Sequence, residues 1–104
     1  MKYQIDAKVL SALHNERVYQ NRKWGSIADH PHEVGAWLTV LRKVLADAER
    51  AWCTNRGDYN ALDEIRQLTA VGIACMEQHG PVPRSPMAFV ALQNGEVPHS
   101  VEGE

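Results

Sequence analysis

The sequence predicts an all-α fold: a bundle of three main helices, about residues 6–22, 31–54 and 59–79, followed by a short C-terminal helix or arm. Three observations carry this. From Pro31 to Thr54 apolar residues recur at helical spacing, and placing residues at 100° intervals puts Val34, Leu38, Leu41, Leu45, Ala48 and Trp52 within about 60° of the centre of one face. A second long periodic stretch, Asn60 to His79, is available as its partner. Turn-forming residues stand between the runs, at Trp24-Gly25, Asn55-Arg56-Gly57-Asp58 and Gly80-Pro81.

In the first helix, from Asp6 to about Arg22, Val9, Leu10, Leu13 and Val18 lie on one side and Lys8, Asn15, Glu16 and Arg22 on the other. The segment that follows holds Gly25, Ser26 and Asp29, which favour a turn. Pro31 then suits the first position of helix two, where its missing N–H has no partner to lose. Gly57 is expected to end that helix in the left-handed conformation, and Asp58 or Asn60 to cap the third. Gln67 to Met76 carries no charge, and its apolar residues spread over much of the circumference. This stretch is therefore either the central helix of the bundle or a subunit interface, and we expect a homodimer. Residues 1–80 make up the helical domain. In the arm, residues 81–104, Ser85, Pro86 and Asn94-Gly95 outline a short helix, with an extended segment as the alternative; the end from Pro98 is expected to be disordered.

A chain of 104 residues buries roughly 65% of its unfolded surface as one domain and needs no metal or disulfide staple. Eleven basic and thirteen acidic residues give a net charge of −2, which argues against a duplex nucleic-acid binder but leaves room for a small anionic ligand. Cys53 and Cys75 are isolated, without CxxC or zinc-ribbon spacing, and read as packed small residues in a reduced, cytoplasmic protein. No apolar run approaches the ~18 residues of a membrane span, and the first residues do not read as a signal peptide.

The run Glu16-Arg17-Val18-Tyr19-Gln20-Asn21-Arg22-Lys23-Trp24-Gly25 resembles the ER-x-x-Q-x-x-K-W-G opening of small phage-type and bacterial proteins related to the MazG-like all-α nucleoside triphosphate pyrophosphohydrolases. Gly35-Ala36-Trp37-Leu38 and Leu62-Asp63-Glu64-Ile65-Arg66-Gln67 extend the similarity over roughly residues 14 to 80. The resemblance implies cleavage of a nucleoside triphosphate to the monophosphate and pyrophosphate with Mg²⁺, held by EExxE on one helix and ExxD on the next. Such a hard cation takes oxygen ligands from carboxylates on adjacent helices while water attacks. Carried onto this chain, the first motif falls on Lys43, Val44 and Asp47 and the second on Glu64 and Gln67. The catalytic and metal-binding expectation thus rests on Asp47 and Glu64, with Glu33 and Glu49 as further candidate ligands at the edges of helix two.

The loss of three motif acids with the helix periodicity intact suggests an alternative, a non-catalytic binding module that sequesters a nucleotide or docks on a protein. For nucleotide contact the candidates are Trp24, as a platform for a base, and Arg22 and Lys23 for phosphates. The competing reading of Trp24 is a plug at the end of the core, and of the acids, solvated partners of Arg42, Arg50 or Arg66. His30 and His32, two apart beside Glu33, read as exposed residues of a helix-start turn, since that spacing does not make a helical metal pair.

Overall fold

The computed structural model describes residues 2–55 and 57–95. It holds four helices: α1 (Ala7–Trp24), α2 (Val34–Asn55), α3 (Asp58–His79) and α4 (Pro86–Gln93). Among the described residues there is no strand. The expected disorder beyond Pro98 lies outside the described residues.

Local chemistry accounts for the ends. Asp6 caps α1, its carboxylate accepting the N–H groups of Lys8 at 2.8 Å and Val9 at 3.2 Å. Gly25 follows α1 at φ +87°, and its lack of a side chain is required twice over. The backbone is one an L side chain rarely adopts, and a Cβ there would collide with the His30 ring. Ser26 and Asp29 close the turn as expected, with Ser26 Oγ 2.8 Å from Asp29 Oδ2. Gly80, at φ +88°, stops α3 and donates to the Met76 carbonyl. In the arm Ser85 caps α4 and Pro86 opens it, so the helical alternative is the one adopted.

Four local expectations are corrected. Helix two begins at Val34, not Pro31, because the His32 backbone is held out of helix: its N–H donates to Gln78 Oε1 at 3.0 Å and its carbonyl accepts from Gln78 Nε2 at 2.6 Å. Gly57 is extended, not left-handed, and itself precedes α3 as its cap residue. Asp58 lies in the first turn of α3, with its carboxylate accepting the Trp52 indole N–H at 3.3 Å. Cys53 is exposed, whereas Cys75 packs against the core as expected.

The helices form an open layer with α3 in the middle. It packs along α2 and along α1; among the described residues no Cα of α1 comes within 8 Å of α2, and α4 comes that close to none of the others. A radius of gyration of 16.4 Å, against about 13 Å for a compact domain of this length, reflects this openness. Of the two readings of the uncharged stretch in α3, the structure bears out the central helix.

The two interfaces of α3 differ in kind. Toward α2, Trp37, Val71 and Ala74 are buried, with Val40, Leu41 and Cys75 against them. Toward α1 the contact is polar. Of the apolar side expected to pack, Val9, Leu10 and Val18 are exposed and Leu13 is half-buried, while Glu16 (7% exposed) and Gln20 (3%) are buried. The cause is pairing: Glu16 accepts from Arg66 Nε at 2.9 Å, Gln20 Nε2 donates to the Gln67 carbonyl at 3.3 Å, and Arg17 reaches Glu77 at 3.0 Å. A buried polar group with partners avoids most of its desolvation cost, so a polar helix face can serve as an interface.

Candidate functional site: a cleft between α1 and α2

Because α1 and α2 flank α3 with no Cα of one within 8 Å of the other, a cleft remains between them. It has a volume of about 220 Å³, is floored by Val71 and Ala74 of α3, and is walled by Trp24 and Trp37. The linker that carries His30 and His32 forms one end. Its lining is mainly apolar, as small-molecule sites usually are.

Gln78 holds this end rigid. Besides gripping the His32 backbone, its Oε1 accepts the Trp37 indole N–H at 2.9 Å. His79 Nε2 lies 2.8 Å from the His32 carbonyl and donates to it as the Nε2–H tautomer. The His32 ring meets Trp37 edge to face, with centroids 5.0 Å apart. Trp37 is therefore fixed by packing and by its one polar atom. Trp24, by contrast, is 55% exposed at the end of α1, so it does not plug the core. The Lys23 ammonium lies 5.4 Å from the Trp24 ring and 5.7 Å from that of Tyr19, within cation–π range.

On the far side of Trp24 lies a second, polar recess of about 380 Å³, lined by Glu16, Tyr19, Lys23, Trp24, Arg66 and Gln67. Arg66 bridges Glu16 and Asp63, and its hydrogen bonds to these carboxylates, Glu16 first, raise its already high pKa. Trp24 thus divides an apolar cleft from a polar one.

The carboxylates expected around a metal are placed differently. Asp47 is flanked on its own helix by Lys43 and Arg50, each at 3.1 Å. The Lys43 hydrogen bond in particular holds its carboxyl below the usual range. Glu64 is half-buried on α3, while Glu33 and Glu49 are exposed on or next to α2. Glu33 contributes its carbonyl, which accepts the Trp37 N–H at 3.1 Å and opens α2. Among the described residues no three His, Cys, Asp or Glu side chains come together as a group that could hold a metal ion. As placed, these donors do not fit a carboxylate-bridged magnesium centre, since Asp47 already has both oxygens on cations. Of the nucleotide-contact candidates, Lys23 and Trp24 are brought together and Arg22 lies outside the lining of both cavities.

Gln78 and the Glu16–Arg66 pair are the site residues that the periodicity argument missed. A signal for the second was present, since Glu16 and Gln20 are four apart and share a helix face. No protein-family model, curated protein or solved structure matches the chain. Among the described residues no helix is long and apolar enough to cross a membrane.

Proposed function

We propose that this chain is a helical nucleotide-binding module, taking the base of a nucleotide or a similar planar anion into the cleft between α1 and α2. The observation that carries the reading is the pairing of an apolar, tryptophan-walled cleft with Lys23 and Arg66 in the recess beside it. A base stacks on Trp24, with Trp37 as the fixed opposite wall. The Lys23 ammonium, already poised over Trp24, turns toward the phosphate. Arg66 is less available, because Glu16 and Asp63 already occupy its donors. The resemblance of Glu16 to Gly25 to the MazG-like opening agrees with a nucleotide as ligand. The expected hydrolysis is the second reading, resting on Glu64, which makes no ion pair among the described residues.

Tryptophan fluorescence during titration with nucleoside mono- and triphosphates, with and without EDTA, tests this. Quenching that persists in EDTA is expected, with affinity falling about tenfold in Trp24→Ala and several-fold in Lys23→Ala. No quenching and no thermal stabilisation across the panel would sink the proposal. Magnesium-dependent release of pyrophosphate, abolished in Glu64→Gln, would establish the hydrolase reading instead.

A further inference from the structure

The apolar arc of α2 is wider than α3 covers. Trp37, Val40, Leu41, Val44 and Ala48 turn toward α3, on the side that also borders the cleft. The other half of the arc, centred about 80° away by the 3.6-residue repeat, is left open. There Leu38 is 56% exposed, Leu45 49% and Trp52 59%. The same repeat puts Ile65 (45%) and Met76 (48%) of α3 on this side of the hairpin, opposite to α1. The outer side of the hairpin is therefore rich in exposed apolar residues, on a chain whose buried core consists largely of alanine.

Two features say what covers it. The open α2 residues Val34, Leu38, Leu45 and Trp52 are separated by four, seven and seven positions, so they keep one register along a seam that a second helix can fill. Along the open edge of that seam stand Arg42 and Glu49, both exposed and both without an ion pair among the described residues. Leu45 and Ala46 lie midway between them. A twofold axis there brings each arginine opposite the glutamate of the second copy, because an isologous contact sets residue i against j and j against i.

We propose that the outer face of the α2–α3 hairpin is a homodimer interface, in which α2 packs antiparallel on the α2 of a second copy about a twofold axis near Leu45 and Arg42 pairs with the partner's Glu49. The cleft between α1 and α2 lies on the opposite side of the hairpin and stays open in this dimer. The interface therefore stands or falls independently of nucleotide binding.

Sedimentation equilibrium of the full chain at micromolar concentration, with circular dichroism as the check on folding, is the test. A dimer is expected for the native chain and a helical monomer for Leu45→Glu. Arg42→Glu and Glu49→Arg each raise the dissociation constant about tenfold by setting like charges opposite one another, and the double reversal recovers it to within about threefold. The charge variants sit on exposed positions and keep the test decisive even where Leu45→Glu fails to fold. A native monomer, a dimer indifferent to Leu45→Glu, or a double reversal no tighter than the singles would overturn the proposal.

Discussion

At Gly25 the chain has a backbone φ of +87° and the His30 ring where a side chain would begin. Both effects oppose any substitution, the first through strain and the second through overlap. Gly25→Ala is therefore expected to cost about 1–3 kcal/mol in denaturant unfolding. It would also push His30 away from the cleft end and weaken any ligand held there. That a glycine was needed after Trp24 is legible in the sequence, because a helix has to stop and turn. That the turn folds back on His30 is not, since the contact joins residues whose approach depends on where α2 starts. Gln78 shows the same limit from the other side. Nothing near it in the sequence marks it, yet it satisfies one indole N–H and two backbone groups of a distant segment.

Between elements, the α1–α3 contact is the feature that hydrophobic periodicity misjudged. Apolar residues on α1 were the natural choice for its packed side, and the structure buries Glu16 and Gln20 instead. A charged residue can occupy an interface only where a partner meets it, and that partner, Arg66, is fifty residues away. Removing Arg66 leaves buried Glu16 without its counter-ion, whereas removing Glu16 leaves Arg66 paired with Asp63 alone. Arg66 is partly exposed, which moderates the cost. Arg66→Gln and Glu16→Gln are each expected to lose about 1–3 kcal/mol, and the double variant less than the sum. Thermal unfolding of the four proteins measures the coupling, and strict additivity would show that the pair contributes no interaction of its own. The α2–α3 contact, by contrast, was readable in outline because it is apolar on both sides and joins neighbours in the chain.

For the molecule as a whole, the architecture is an open layer, not a closed bundle. α4 has its own cap and proline start, but among the described residues none of its Cα atoms comes within 8 Å of another helix. A chain ending at Pro83 is accordingly expected to melt within about 3 °C of the full chain by calorimetry, since the backbone of α4 stands apart from the three long helices. The three long helices and their approximate extents were determined by the sequence alone. Periodicity, glycine, proline and capping residues act within a few positions of one another, and such local signals survive without knowledge of the fold. Only the tertiary structure decided which face of each helix is covered. An apolar arc wider than one neighbour can cover, as on α2, has two equivalent halves until that neighbour is placed. It also decided the geometry of the candidate site: Trp24 stands between the two cavities and Lys23 lines the polar one, while Asp47 was taken up by Lys43 and Arg50 on its own helix. Which side chains converge depends on contacts between segments far apart in the chain, and one-dimensional spacing carries no term for those.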